Sequence, residues 1–142
     1  MEIVVPTWIV SMIVVLIGIL GAFAVQRFIA FRAASVKFRS DIFKALDGIY
    51  PKTGVWKQNI SQELLATIPA VSSAHAEFAY YIAFLRKRAF RKALSAYEDQ
   101  CKQEEPFNVL LLHLASPKDC PENPQTVFGR HVEKLLSFAK AT

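Results

Sequence analysis

From Ile3 to Val25 the chain reads IVVPTWIVSMIVVLIGILGAFAV, 23 residues without a charge, interrupted only by Pro6, Thr7, Ser11, Gly18 and Gly21. At about 1.5 Å of rise per residue such a stretch reaches about 35 Å, slightly more than the roughly 30 Å hydrocarbon core of a bilayer. The pattern predicts a transmembrane anchor over residues 1–25. Pro6 stands early enough to cost no interior helical hydrogen bond, and Trp8 near the outer end suits an interfacial position. Gly18 and Gly21 are three apart, not the four of GxxxG, which reads as ordinary small residues in a span.

Beyond Val25 the apolar positions turn periodic. Phe28, Phe31, Phe38, Ile42, Ala45 and Ile49 fall at intervals of three, four or seven, and neither Gly nor Pro interrupts before Asp47-Gly48. That predicts a stalk helix over 26–48, continuous with the anchor and packed on its own domain rather than paired with a second copy, since Ser35 puts a polar group in the seam. Gly48 and the Tyr50-Pro51 pair end it. Lys52 to Asn59 reads as a loop whose Trp56 folds back over the core. Asn59 and Gln62 resemble a capping box for a short helix, Ser61 to Thr67, which Pro69 interrupts.

A central helix is expected over 70–103, with Ala74, Phe78, Tyr81, Leu85 and Ala89 as one stripe and Phe90, Leu94, Tyr97 and Cys101 as its continuation. Phe78, Tyr81, Leu85 and Leu94 are the expected core residues. Glu104-Glu105-Pro106 closes this helix, Phe107 to Ala115 leans towards a helical turn, and Ser116 to Pro124 is loop. Asn123-Pro124 is a strong start signal for a last helix over 124–139, which buries Val127 or Phe128, Val132, Leu135 and Phe138 or Ala139. The fold class that follows is all-α: one N-terminal transmembrane helix continuing into a small helical domain, residues 26–142.

Charge adds a direction. Only Glu2 precedes the span, so the part beyond it carries all 17 basic groups against 11 acidic ones. Arg27, Arg32, Lys37, Arg39 and Lys44 follow the apolar run closely. The positive-inside rule then places the N-terminus outside and the helical domain in the cytoplasm, as in a single-pass protein of a bacterial inner membrane. Ala22-Phe23-Ala24 has the form of a signal-peptidase exit, but the basic start of a signal peptide is missing. Two cysteines without a CxxC spacing are too few to staple a small domain, so a reducing compartment is the simpler expectation.

The sharpest cluster is Arg86-Lys87-Arg88 followed by Arg91-Lys92. On a helix Lys87, Arg88, Arg91 and Lys92 share a face, and their repulsion is unfavourable unless water, salt or a polyanion screens it. Tyr80 and Phe84 lie one to two turns earlier. A basic patch flanked by aromatics holds lipid phosphates or nucleic acid, and a tether brings lipid nearer to hand; a simply solvated face is the plainer alternative. Trp8, Arg27 and Arg32 are the expected anchor residues at the two membrane boundaries.

Catalysis finds no support. Cys101 or Cys120 with His75, His113 or His131 would make a nucleophile and base on paper, but no spacing requires it, and Cys101 continues an apolar stripe. None of these five stands at i, i+3 or i, i+4 to another, and neither HExxH nor a glycine-rich phosphate loop is present, so no metal and no cofactor is expected.

Lys37-Phe38-Arg39, Tyr50-Pro51, Ala74 with Glu77-Phe78, and Phe90, Ala93 and Tyr97 form a pattern over about residues 37–101. It resembles a family of small bacterial proteins of no assigned activity, many with one N-terminal span. The resemblance implies helical boundaries and a bacterial origin, and no active site. The expected function is a membrane-tethered interaction module, not an enzyme, that docks a protein partner or lays its basic face on membrane lipid, with self-association open. The alternative is a membrane-anchored sensor or effector of nucleic acid or another stress signal, for example in phage defence, with nucleic acid the less expected ligand.

Overall fold

The computed structural model describes residues 6–51, 56–102, 110, 114–115 and 122–140. Among them lie four helices and no strand: α1 (Thr7–Ala45), α2 (Ile60–Phe78), α3 (Phe84–Cys101) and α4 (Pro124–Ser137). The sequence's Cys120 and His113, and the segments around Glu104-Glu105-Pro106 and Ser116, lie outside the described residues.

Helix α1 is unbroken through 39 residues, about 58 Å at the usual rise. Its first half is exposed apart from the partly covered Ile9, and is long and apolar enough to cross a membrane. The second half changes character: Ser35, Phe38 and Ile42 are buried, with Phe31, Ala34 and Ala45 packed beside them. The expected stalk stripe therefore packs on its own domain, while Phe28 stays exposed. The helix ends as anticipated, in a turn where Gly48 takes φ 85°, a left-handed conformation that costs any residue with a Cβ.

Helix α2 returns along α1, for Phe78 at its end stacks on Phe38 (ring centroids 4.7 Å) and touches Phe31 (5.7 Å). Pro69 does not stop it. The proline removes one donor, the partner of the Leu65 carbonyl, but both residues are exposed and water can serve that carbonyl. Burial of Ile60, Leu64, Thr67, Val71, Ala74 and Phe78 along one face carries the helix through. Nor does the capping box form; the Asn59 amide donates to Glu63 Oε1 at 2.8 Å instead.

The single helix expected over 70–103 is two helices. A continuous one would extend about 51 Å and carry Phe90, Tyr97 and Cys101 beyond anything able to bury them. The chain instead reverses between Ala79 and Ala83, where Ala83 takes φ −57° and ψ 142°. Phe90 then meets Phe78 and Phe38 at 5.8 Å each, and Tyr97 reaches Thr67. Of the four expected core residues only Phe78 is fully buried. Leu94 is half-buried, whereas Tyr81 and Leu85 are exposed, as is Ala89.

Helix α4 closes the domain by running back along α3. Asn123 Oδ1 accepts from Gln125 N–H at 2.9 Å, with Pro124 in the first turn, the start that the sequence predicts. Phe128 packs on Tyr97 and on the buried Trp56, and Phe138 on Phe90. The packed pairs α1–α2, α2–α3 and α3–α4 are thus antiparallel.

A small polar cluster sits inside this core. The Thr67 hydroxyl donates to the Leu64 carbonyl (2.6 Å), which uses its only hydrogen, so at 2.6 Å the Tyr97 hydroxyl must be the donor to Thr67 Oγ1. The two ends of this bond differ in consequence. Thr67→Val takes the oxygen acceptor from the buried Tyr97 hydroxyl, leaving it only the weaker Cys101 sulfur, and should cost about 1–3 kcal/mol, whereas Tyr97→Phe leaves Thr67 its own acceptor and should cost about 1 kcal/mol. Urea unfolding of the two variants in detergent measures the difference; equal losses would reverse the donor assignment.

Candidate functional site

All five basic residues predicted as a binding site lie within the first three turns of α3, Arg86, Arg88, Arg91 and Lys92 exposed and Lys87 half-buried. They divide by face. Lys87 and Arg91 flank a shallow groove of about 390 Å³ against α2, with Glu77, Tyr80 and Phe90 in its walls. Arg88 and Lys92, four apart, point elsewhere on the helix, so the patch wraps the helix start instead of forming one flat face. Arg86 sets its guanidinium over the Phe138 ring, 5.3 Å from the centroid, a contact that fixes it to the end of α4.

Topology decides where this patch stands. Because α2 runs against α1 and α3 runs with it, the start of α3 belongs to the end of the domain from which the apolar half of α1 projects. Arg27 and Arg32 are exposed on α1 at that same end, and Trp8 is exposed in its first turn. A second groove of about 510 Å³ opens there between α1 and α2, lined among others by Ala30, Ala34, Phe78, Tyr80 and Tyr81. An ion pair between Lys37 and Glu77 ties its two walls, and the carboxylate raises the Lys37 pKa.

Sequence reasoning named Tyr80 and Phe84 as the aromatics beside the basic run but missed Leu85 and the reversal that exposes all three. Tyr80, Phe84 and Leu85 are 84–90% exposed, an apolar knuckle beside the basic run. The signal was present: Tyr80-Tyr81-Ile82-Ala83-Phe84-Leu85 is six apolar residues in succession, which covers every face of a helix and so cannot all be buried on one. Only Ile82 of the six is buried.

Of the residues weighed for chemistry, Cys101, His75 and His131 are described. Cys101 is buried beside Tyr97 and Thr67, and burial pushes its thiol up to about 11, far from a reactive thiolate. His131 is half-buried on α4. Among the described residues no three His, Cys, Asp or Glu side chains converge as metal ligands. No model of a known protein family, no curated protein and no solved structure matches the chain, so the resemblance over residues 37–101 carries no family assignment.

Among the described residues His75 is the one buried histidine, and it lies near the patch. Its ring stacks on Phe90 at 3.9 Å, and its Nε2 is buried without a hydrogen-bond partner among the described residues. Burial holds its pKa below the ordinary 6.5, with the Arg91 charge acting in the same direction. A lowered histidine pKa means that the unfolded chain takes up the proton first, so this contribution to stability is complete above about pH 6.5 and is lost as the pH falls towards the folded-state value. The melting temperature should therefore decline on acidification from about pH 7.5 to about pH 5, and His75→Leu should flatten that decline. An equal slope in the variant would assign the acid sensitivity elsewhere.

Proposed function

We propose that the chain is a single-pass, membrane-tethered interaction module of a bacterial inner membrane, with its N-terminus outside and its helical domain in the cytoplasm, where the basic start of α3 rests on anionic lipid. The observation that carries this reading is positional. Arg86, Lys87, Arg88, Arg91 and Lys92 gather at the end of the domain from which the apolar half of α1 projects, the same end as Arg27 and Arg32. Basic side chains within about one Debye length of an anionic leaflet contribute about 1 kcal/mol each, and the first turn of α3 meets that condition. The excess of cationic residues after the span supports the orientation.

The reading separates charge in the right place from charge in general. Full-length protein extracted with limited detergent should retain a lipid annulus enriched in anionic lipid. Charge reversal at Lys87, Arg88, Arg91 and Lys92 together should remove that enrichment, while reversal at Lys57 and Lys102, at the far end of the domain, should leave it intact. Equal enrichment in all three proteins would sink the proposal, and loss only in the second variant would place the contact at the wrong end.

A further inference from the structure

The exposed knuckle between α2 and α3 has an occupant specified by its height. We infer that Tyr80, Phe84 and Leu85 insert into the interfacial layer of the same bilayer that α1 crosses, giving the domain a second, apolar attachment to the membrane beside the tether. This rests on the reading of α1 as a span, and it does not depend on the lipid being anionic.

With Trp8 in the outer interface, about 20 residues of helix cross a hydrocarbon core of roughly 30 Å, which brings the inner boundary to about Phe28. Phe28, Ile29 and Phe31 then occupy the inner interface, with Arg27 and Arg32 reaching for phosphate, as long basic side chains do at that depth. Helix α3 runs in the same sense as α1 and is pinned to it where Phe90 meets Phe38. Phe84 stands six residues before Phe90, about 9 Å nearer the bilayer, and so at the height of Arg32. That height is about 6 Å past Phe28, within a headgroup layer about 5–8 Å thick. Side chains on a helix lean towards its N-terminus, so Phe84 and Leu85, in the first turn of α3, lean towards the hydrocarbon.

Three further features agree. Tyr80 and Tyr81 line the groove beside Ala30 and Ala34, which places phenol rings at the level where tyrosine is enriched in membrane proteins. Phe84 and Leu85 are about nine-tenths exposed although Ile82 between the tyrosines and Phe84 is buried, so the knuckle is held by the core and is not a loose loop. The basic residues follow the apolar ones directly in sequence, so along α3 the charges stand just on the domain side of the knuckle, at the depth of the headgroups.

Collision accessibility of a spin label tests the insertion. In a Cys120→Ser background, with Cys101 buried and unreactive, Leu85→Cys is labelled in the full chain and reconstituted in zwitterionic phosphatidylcholine discs; Phe28→Cys and Gln62→Cys serve as membrane and aqueous references. The Leu85 position is so exposed that the substitution removes no packing contact. The label at 85 should collide with oxygen in preference to a water-soluble nickel chelate, severalfold more so than the label at 62. It should do so unchanged in about 1 M salt, where charge is screened within about 3 Å. A water-like signal at 85 with a lipid-like signal at 28 overturns the insertion and leaves the tether standing. Water-like signals at both remove the span itself and the insertion with it. A label at 85 shielded from both reagents and broadened by a second label would mean that another copy covers the knuckle, which also overturns the proposal. A lipid-like label at 85 alongside unselective lipid retention would uphold the insertion while the anionic-lipid reading fails.

Discussion

The continuity of α1 is the constraint on which the rest depends. A helix that runs through 39 residues without a proline, a glycine pair or a break below Val25 fixes both the distance and the rotation between its apolar half and the face that carries Ser35, Phe38 and Ile42. A flexible linker at Gln26 would leave the domain free to turn, and no residue of α3 would have a definite height. Because the helix is continuous, every contact on its second half transmits a position to the elements packed there.

Those contacts are mainly aromatic and are concentrated at one end. Phe38, Phe78 and Phe90 pack mutually, Phe31 and Phe138 extend the group, and His75 stacks on Phe90, so all four helices meet within one cluster. Each such ring pair adds about 0.5–1.5 kcal/mol beyond the area it buries and restricts geometry as plain aliphatic contact does not. The far end relies on Trp56, Tyr97 and Phe128 and on the Thr67–Tyr97 bond. The rigid cluster thus lies under the basic turn and the apolar knuckle, the segment whose placement matters to the proposed function, and the cation–π contact of Arg86 with Phe138 locks the end of α4 to it.

Much of this was legible in the residues. The apolar run, the stalk stripe from Phe31 onwards, Gly48, Trp56 and the Asn123-Pro124 start follow from local rules and appear as expected, while Phe28 at the head of the stripe stays exposed. The reversal after Phe78 was not legible from breakers, since none exists between Ala70 and Gln103. It is enforced by burial: Phe90 and Tyr97 have no partner unless the chain folds back, and that is a long-range requirement which periodicity does not express. The same override carries α2 through Pro69. The basic residues were found by composition, but their division into Lys87 and Arg91 on one side and Arg88 and Lys92 on the other, and the exposure of Phe84 and Leu85, follow only from where the reversal falls.

Amide hydrogen exchange on the full chain in lipid discs tests the central claim most directly, because between Phe28, at the inner hydrocarbon boundary, and Phe31, where packing on the domain begins, the backbone depends most on the helix alone. Protection that runs without a gap from Gln26 to Val36 is the result expected of one rigid helix joining membrane and domain. A fast-exchanging window between Phe28 and Phe31, with protected amides on both sides, would show a hinge there and contradict the account.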